Sequence, residues 1–471
     1  MIRRDQIYVD GAWVDSTADS FLEVVNPATE EVIAEVARGT AEDVDAAVSA
    51  ATTAFDGWSQ STVDDRVAAL QALADVIETN GEEVTNTIVA EIGQPVTWAW
   101  KASTETTVRD LRNFADALPE VLWEEKVGNA TVRRLPAGVV GAITAWNGPI
   151  RSVCLKAGAA IAAGCTVVLK SSEVAPLTPF LLAGYTEKAG LPPGVFNIVT
   201  GTGPEVGEHI VTHPGIDMVS LTGSVRAGSR VMELASRSVK RVALELGGKS
   251  ANVILPGADL EKAVTVGIQD AFRNSGQACG ALTRFLVPRA RLAEAEALAA
   301  ATAESFIVGD PTDPATHLGP LANRDQYGRV RSHIERAIGE GVKLVTGGLE
   351  RPAGLDRGFY VRPTVFSGTN EDRIAREEVF GPVVVIIPFE DEHDAVRIAN
   401  DTNYGLAGGV WAADADHAAA VAARIRTGRV RINGAPIDMR APHGGLKLSG
   451  IGREMGRHGI EDYLEYQALH R

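Results

Sequence analysis

The stretch from Val139 to Leu246 decides the fold, because five short apolar runs in it alternate with segments of helical pattern. The runs are Val139-Val-Gly-Ala-Ile-Thr144, Thr166-Val-Val-Leu-Lys170, Val195-Phe-Asn-Ile-Val-Thr200, Met218-Val-Ser-Leu-Thr222 and Arg241-Val-Ala-Leu-Glu-Leu246. Continuous apolar runs are typical of parallel strands that are covered on both faces. The stretch therefore predicts a doubly wound parallel sheet, in which ligands bind at the carboxyl ends of the strands.

A second set of strand and helix patterns follows Gly247 and Gly248, whose freedom of backbone conformation suggests a break between two α/β domains. Upstream of the decisive stretch, the pattern predicts helices over 42–55 and 62–77 and a helical region from Glu82 to about Leu118. A strand or hairpin is expected over 127–135. The later strands are expected at Ala251–Leu255, Arg284–Val287, Val383–Pro388, Gly409–Ala412 and Arg429–Asn433.

Size and composition limit the function classes. The chain has 471 residues, more than one core usually supports, so two or three domains are expected. A net charge of −16 argues against binding to nucleic acid or to anionic membranes, and no apolar run has the length of a membrane span. Three cysteines and nine scattered histidines predict neither disulfides nor a metal site. A reducing, cytoplasmic setting fits this pattern.

The stretch Phe272-Arg-Asn-Ser-Gly-Gln-Ala-Cys279 places a thiol after a strongly helical run. Val264, Ile268 and Phe272 recur at helical spacing, so one helix face is buried and Cys279 follows its end. A lone cysteine is more often a small buried hydrophobe than a nucleophile. Spacing alone leaves both possibilities open.

Four further motifs accompany this cysteine, and all five follow one another along the chain in the order found in a known family. They are Ala145-Trp-Asn-Gly-Pro149, Leu169-Lys-Ser-Ser-Glu173, Leu244-Glu-Leu-Gly-Gly-Lys249 and Glu377-Glu-Val-Phe-Gly-Pro382. In this order the chain resembles the NAD(P)-dependent aldehyde dehydrogenase superfamily over nearly its whole length. The resemblance implies a Rossmann-like parallel-sheet cofactor domain (1–125 and 139–246), a second α/β catalytic domain (247–433), and a small β oligomerisation element (126–138 with 434–471).

The resemblance also implies catalytic roles. Cys279 attacks the aldehyde to give a thiohemiacetal and then a thioester, and the Asn147 amide with the Cys279 backbone N–H holds the oxyanion. Glu245 acts as the general base for hydrolysis, and Lys156 assists proton transfer. A structural ion pair is the alternative for Glu245, and a structural role is the alternative for Lys156.

The expected cofactor is NAD, with NADP possible. Gly223, Ser224 and Gly228 lie between a strand and a helix, where backbone N–H groups hold a pyrophosphate, although Ser224 is equally an ordinary helix cap. Gly203 and Gly207 are further candidates, but their segment lacks the dinucleotide-binding spacing.

The resemblance assigns further cofactor contacts. Lys170 and Glu173 match the adenosine-ribose positions, and the Glu173 carboxylate favours NAD by repelling a 2′-phosphate. Ser171 departs from the family's usual proline and weakens that preference. The remaining contacts are expected at the nicotinamide end, from Trp146, Leu246, Glu378 and Phe380.

The substrate is expected to be a small-molecule aldehyde. Gly148 and Leu155 stand where many relatives carry aromatic residues, which suggests a wider tunnel, and Arg151 is placed to meet an anionic or polar group. His443 replaces the phenylalanine that the family usually has.

Three alternatives to water-dependent aldehyde oxidation remain at this stage. They are an acylating, coenzyme A-dependent dehydrogenase, a catalytically silent NAD-binding or structural homologue, and a thiol hydrolase, which needs a histidine near Cys279. A homodimer or homotetramer is expected from the family.

Overall fold

A computed structural model describes all 471 residues, with 21 strands. The strands are β1 (Ile2–Arg4), β2 (Gln6–Val9), β3 (Ala12–Asp15), β4 (Phe21–Asn26), β5 (Glu31–Ala37), β6 (Glu124–Val127), β7 (Ala130–Pro136), β8 (Val139–Ile143), β9 (Thr166–Lys170), β10 (Phe196–Val199), β11 (Met218–Thr222), β12 (Arg241–Glu245), β13 (Ser250–Ile254), β14 (Leu282–Pro288), β15 (Lys343–Thr346), β16 (Thr364–Ser367), β17 (Val383–Phe389), β18 (Ala407–Trp411), β19 (Arg429–Ile432), β20 (Gly450–Ile451) and β21 (Leu464–His470).

Helices connect and cover these strands. They are α1 (Ala41–Trp58), α2 (Val63–Thr79), α3 (Gly81–Ile92), α4 (Val96–Trp98), α5 (Thr106–Ala117), α6 (Pro149–Val153), α7 (Ala159–Ala163), α8 (Leu177–Lys188), α9 (Glu208–Thr212), α10 (Val225–Ala235), α11 (Leu260–Phe272), α12 (Leu292–Glu304), α13 (Arg324–Gly339), α14 (Arg373–Arg376), α15 (Glu392–Asn400), α16 (Ala415–Ala422) and α17 (Gly456–Glu461). No helix has both the length and the apolar character that a membrane crossing needs.

The first large sheet has eight strands in the order β20-β12-β11-β8-β9-β10-β2-β3. Its five central strands are parallel, in the order β12-β11-β8-β9-β10. They are the five strands that the apolar runs predict. Antiparallel strands close both edges, with β20 from the C-terminal segment on one side and the β2–β3 hairpin on the other. Separate apolar clusters cover the two faces, which is why the central strands read as continuous apolar runs.

The second large sheet has seven strands in the order β15-β16-β17-β14-β13-β18-β19. All of its strands except β15 run parallel to their neighbours. It has its own apolar clusters on both faces. The expectation of two α/β units is therefore confirmed.

Two smaller sheets complete the fold, β1-β5-β4 and β21-β7-β6. In the second of these, β21 pairs with β7 along seven residue pairs, from Leu464 with Pro136 to His470 with Ala130. The hairpin and the C-terminal segment, far apart in sequence, thus form one sheet.

The helical region expected from Glu82 to Leu118 is divided into several pieces. Helix α3 ends at Gly93, whose φ of 68° is a left-handed cap, and Pro95 follows within two residues. A π-helical segment, Ala99–Glu105, then separates α4 from α5. Of the two tryptophans in this region, Trp100 is exposed and Trp98 lines a cavity described below.

The fold brings different strand ends of the two large sheets to one place. In the first sheet, the carboxyl ends of β8, β11 and β12 lead into Trp146–Asn147, Gly223–Ser224 and Glu245–Leu246. In the second sheet, Cys279 and Glu378–Phe380 precede the amino ends of β14 and β17. The site forms between these two sets of strand ends.

Arg284 on β14 is a fully buried guanidinium that binds main-chain carbonyls and no carboxylate. It donates to Lys249 O (2.9 Å), Ile398 O (2.9 Å), Ala399 O (2.9 Å) and Asn370 Oδ1 (2.8 Å). Arg284→Met would leave these acceptors unpaired, at about 1–3 kcal/mol for each that stays dry. We expect a clearly lower melting temperature, measured by differential scanning fluorimetry.

The matched control is Arg289→Met. Arg289 pairs with Glu390 at the surface, where an ion pair contributes about 0–1 kcal/mol. Equal melting temperatures for the two variants would contradict a structural role of Arg284.

Candidate active site

The loop that carries Cys279 has a constrained backbone. Asn274 and Ser275 have φ values of 52° and 54°, which are unfavourable for residues with a side chain and especially for serine. Ser275 Oγ donates to Gly319 O (2.8 Å), and Gln277 Oε1 accepts from Ala322 N–H (3.0 Å). These contacts fix the loop, so Cys279 is presented half-buried in a defined place.

Two cavities meet at Cys279. One of about 270 Å³ lies on the side of the first sheet, and the other, of about 320 Å³, lies on the opposite side of the thiol. We call them the cofactor cavity and the substrate cavity. Asn147 and Cys279 line both. A group entering from either side therefore meets the same sulfur atom.

Glu245 and His443 lie beside the thiol. The Cys279 Sγ, a Glu245 carboxylate oxygen and a His443 ring nitrogen are all within 4.8 Å of one another. His443 Nε2 is 3.3 Å from Glu245 Oε1, but the two atoms lack hydrogen-bond geometry, so this buried oxygen has no hydrogen-bond partner. A dry carboxylate oxygen without a partner is available to accept a proton.

The electrostatics of the site oppose ionisation of the thiol. Burial, and then the negative charge of Glu245, raise the pKa of Cys279 well above its usual value, and the positive charge of Arg429 acts in the opposite direction. The resting thiol is thus protonated near neutral pH. It needs a base at the moment of attack.

Asn147 is positioned by the cysteine loop itself. Its side-chain amide donates to Gln277 O (3.0 Å), and Asn274 Nδ2 donates to Asn147 O (3.1 Å). An amide has two N–H donors, so the second remains free. The Cys279 backbone N–H donates to no carbonyl of the chain, which leaves two free donors near the sulfur.

Lys156 is buried and already engaged. Its Nζ donates to Glu454 Oε1 (2.8 Å) and to Ser220 Oγ (3.2 Å), and it lines neither cavity. Glu454 in turn exchanges two backbone hydrogen bonds with His443 (2.7 and 2.8 Å). Lys156 therefore contacts the residue that holds His443 in place.

The cofactor cavity has an aromatic wall. The rings of Trp146 and Phe380 pack edge to face, with centroids 5.4 Å apart. Phe380 has a φ of 56°, and Gln326 Nε2 donates to its carbonyl (2.8 Å), which holds this unfavourable conformation. Glu378 accepts from Gly248 N–H (3.0 Å), and burial raises its pKa to about 7.

Gly223, Ser224 and Leu246 also line the cofactor cavity. Ser224 caps α10 by accepting a hydrogen bond from Ala227 N–H (3.2 Å). Ser224 is therefore both an ordinary helix cap and a residue that lines the cavity. Gly228 does not line the cavity, and a Cβ there would lie 2.6 Å from Leu246 Cδ1. Its absent side chain makes room for Leu246.

The other predicted cofactor residues lie outside this cavity. Lys170 and Glu173 follow β9 and form an ion pair of 2.8 Å. Burial acts to raise the pKa of Glu173, but the Lys170 charge outweighs it and the pKa is lowered. Gly203 and Gly207 bound a short π-helical segment, and neither has a backbone atom crowding its missing side chain.

The substrate cavity is lined by four cationic side chains and by no carboxylate. Arg151, the residue that the sequence singles out, donates to Asp110 Oδ2 (2.8 Å) behind the wall. Leu155 does not line this cavity, whereas Gly148 and His443 do. Sequence reasoning missed three of the four cations: Lys101, Arg273 and Arg429.

The signal for Arg429 was present in Gly428-Arg-Val-Arg-Ile432. Two arginines alternate there with apolar residues along a strand. Arginine is rarely buried in such a setting unless its charge is paired or binds a ligand. Nothing in the local sequence shows whether Arg429 or Arg431 points into the cavity.

The model of the aldehyde dehydrogenase family matches residues 13–469. The chain belongs to the aldehyde dehydrogenase family. A Pseudomonas 3-succinoylsemialdehyde-pyridine dehydrogenase is 46% identical over 466 residues, 98% of both proteins. The identification made from the sequence motifs is therefore confirmed.

Solved structures of aldehyde dehydrogenases have the same fold. A mutant of aldehyde dehydrogenase C from Pseudomonas syringae, in complex with NAD⁺ and octanal, has a TM-score of 0.98 and 48% identity, covering 99% of this chain and 96% of that one. The Mycobacterium tuberculosis aldehyde dehydrogenase complexed with NAD⁺ has a TM-score of 0.97 and 40% identity, covering 100% and 98%.

The position of Glu245 predicts the titration of this aldehyde dehydrogenase's thiol. Cys279 should be alkylated by iodoacetamide with a midpoint above the ~8.5 of a free thiol. Glu245→Gln removes a neighbouring negative charge, so thiolate forms more easily and the midpoint should fall. Mass spectrometry can follow the modified site.

Two features make this test clean. Cys154 and Cys165 are fully buried, so Cys279 is the accessible thiol. Glu187→Gln, at an exposed position, removes the same charge far from the loop and should leave the midpoint unchanged. An unshifted midpoint in Glu245→Gln would contradict the electrostatic coupling.

Proposed function

We propose that the protein oxidises an aldehyde to a carboxylate with NAD⁺ as the electron acceptor, through a covalent intermediate on Cys279. The observation that carries the proposal is the position of this thiol at the boundary of two cavities, with Glu245 and Asn147 beside it. The balanced reaction consumes aldehyde, NAD⁺ and water, and it yields carboxylate, NADH and two protons.

The residues of the cofactor cavity fit a dinucleotide. Trp146 and Phe380 offer an apolar wall for a ring, and Glu378 a carboxylate for ribose hydroxyls. Gly223 and Ser224 lie at the N-terminus of α10, an eleven-residue helix whose end favours phosphate. NAD⁺, when bound, supplies the acceptor for the hydride. The NAD⁺ complexes of the similar enzymes support this assignment.

In the first step Cys279 Sγ bonds to the aldehyde carbon while the thiol proton passes to a base. Glu245, whose carboxylate is within 4.8 Å of the sulfur, is that base. The carbonyl oxygen becomes an oxyanion, and the second Asn147 N–H and the Cys279 backbone N–H donate to it. Each such donor contributes about 2.7–4 kcal/mol when it is aimed at the developing charge. Loss of hydride leaves a thioester on Cys279.

In the second step water opens the thioester. Glu245 first releases the thiol proton to solvent and then takes a proton from the attacking water. The C–S bond breaks, and Glu245 passes this proton to the sulfur. His443 Nε2 lies 3.3 Å from Glu245 Oε1, next to the carboxylate that takes this proton. Lys156 acts at a distance, through Glu454 and the backbone of His443.

Glu245→Gln should slow the second step far more than the first. The lost negative charge lets the Cys279 thiolate form more easily, which offsets the missing base in the first step, whereas nothing replaces Glu245 as the base for water. Without the base, hydrolysis should slow by about 10²–10⁴-fold, as for other general bases. We expect a burst of up to one NADH per active site followed by slow turnover, measured by stopped-flow absorbance, with an acyl adduct on Cys279 in the mass spectrum. Cys279→Ser is the control and should give neither burst nor adduct. A Glu245→Gln enzyme with unchanged steady-state turnover would refute the assigned base.

Two alternative functions are an acylating dehydrogenase, in which coenzyme A attacks the thioester, and a thiol hydrolase, in which a histidine activates the thiol that attacks the substrate. In an acylating enzyme coenzyme A replaces water, and the free Glu245 oxygen argues against this. A thiol hydrolase needs a histidine, and His443 does lie near Cys279. The cofactor cavity on the other side of the thiol favours oxidation. Analysis of products with and without NAD⁺ and coenzyme A separates the three.

The Glu173 carboxylate predicts a preference for NAD⁺ over NADP⁺. Its pair with Lys170 keeps it ionised, so it repels a 2′-phosphate. Glu173→Gln should raise the ratio of kcat/KM for NADP⁺ to that for NAD⁺ by about tenfold, since one charge repulsion is removed. Glu187→Gln should leave that ratio unaltered, and an unaltered ratio in Glu173→Gln would disprove the role.

The sheet β21-β7-β6 is the candidate surface for a homodimer or homotetramer. Strand β6 is exposed along its whole length, and Val127 and Tyr466 are large exposed side chains on this sheet. An exposed sheet edge with apolar side chains favours association with another copy.

A further inference from the structure

We infer that the substrate is a short aldehyde carrying a second, anionic group, a carboxylate, and that Arg429 binds this group. The inference rests on the proposed aldehyde oxidation and names its substrate class. It depends on the charges of the substrate cavity and on the fact that Arg429, alone among the three arginines there, has no partner.

The substrate cavity is positively charged inside a negatively charged protein. Lys101, Arg151, Arg273 and Arg429 line it, no Asp or Glu does, and the whole chain carries −16. A cleft of one sign concentrates ligands of the opposite sign, because its low-dielectric walls focus the field. An uncharged aldehyde would gain nothing from these four cations.

Two of these cations are compensated by acids behind the wall. Arg151 Nε donates to Asp110 (2.8 Å), and its Nη2 faces Met439 Sδ (3.4 Å). Arg273 contacts Asp270 at 3.6 Å and packs over the Trp98 ring. The charge of Arg151 is therefore balanced within the protein, whereas Arg273 shares Asp270 with Arg431 and is balanced in part. This differs from the sequence-based hypothesis, which gave the anion to Arg151.

Arg429 is not compensated in this way. Its guanidinium makes no hydrogen bond and no ion pair within 4 Å, although burial lowers its pKa. By contrast, Arg431, two residues along the same strand, binds Asp270 and Ala435 O. A guanidinium has five donors in a planar fork that matches a carboxylate, so an unpaired one in a cavity is a binding site for an anion.

The position of Arg429 limits the length of the substrate. Its Nη2 lies against Gly280, where a Cβ would be only 2.5 Å away, so the guanidinium is next to the residue that follows Cys279. An anion bound there must be separated from the reacting carbon by a short chain. Lys101, also without an acidic partner, is exposed at the cavity and attracts the same charge from solvent.

The test compares two aldehydes of similar size, 4-oxobutanoate and pentanal, by kcat/KM with NAD⁺. We expect the wild type to prefer 4-oxobutanoate, and Arg429→Met to lower this preference ratio by about tenfold to a hundredfold, as for one charge-assisted hydrogen-bonded pair. Arg429→Lys, which keeps the charge but not the fork, should fall between. Arg426→Met removes the same charge three residues away at an exposed position and should keep the wild-type ratio.

A binding measurement without turnover complements the kinetics. Succinate should compete with pentanal more strongly than butanoate does, and Arg429→Met should abolish the difference. Glyceraldehyde 3-phosphate against glyceraldehyde forms a second arm, and a preference confined to the phosphate would overturn the carboxylate assignment.

The outcomes separate the inference from the proposed function. If kcat/KM for pentanal equals that for 4-oxobutanoate, the inference is wrong and aldehyde oxidation stands. If Arg429→Met slows both aldehydes equally and raises the midpoint of Cys279 alkylation, Arg429 serves the thiolate and the inference is also wrong. If no aldehyde reduces NAD⁺, both proposals fail.

Discussion

The active site depends on a close backbone contact between Gly276 and Gly381. Gly276 has a φ of 73°, and a Cβ at this position would lie 2.1 Å from the carbonyl of Gly381, so no other residue fits without displacing the main chain. Gly276 belongs to the loop that ends at Cys279, and Gly381 to the loop that carries Glu378 and Phe380. The contact therefore fixes the nucleophile relative to the wall of the cofactor cavity.

The strain around this contact is offset by hydrogen bonds rather than by apolar packing. Asn274, Ser275 and Phe380 all have positive φ, at a cost of about 1–3 kcal/mol each. Gln277 and Gln326 bind the two loops through their side chains, and both are buried. The arrangement is one of a preorganised site, in which the donors and the sulfur are placed before the substrate arrives.

How much of this could be predicted from the sequence differs between elements. The five strands of the first sheet's core and their parallel arrangement follow from continuous apolar runs, and Cys279, Glu245 and Asn147 were assigned from short motifs. The segment from Glu82 to Leu118 is largely helical as expected, but a helical pattern does not reveal the π-helical register of Ala99–Glu105. Arg429 was missed because what distinguishes it is the lack of any hydrogen-bond or ion-pair partner for its guanidinium. The absence of a partner is a property of the folded structure, which spacing cannot encode.

The charges of the two cavities also bear on the direction of the reaction. In the proposed reaction, oxidation converts an uncharged aldehyde group into a carboxylate next to Glu245, and Glu378, with a pKa of about 7, lines the cofactor cavity. A new anion is thus formed between carboxylates, in surroundings that already resist ionisation of Cys279. The cationic wall of the substrate cavity provides the opposite field along the way to solvent. The cationic wall that would attract an anionic substrate would thus also offset the repulsion between the product carboxylate and Glu245.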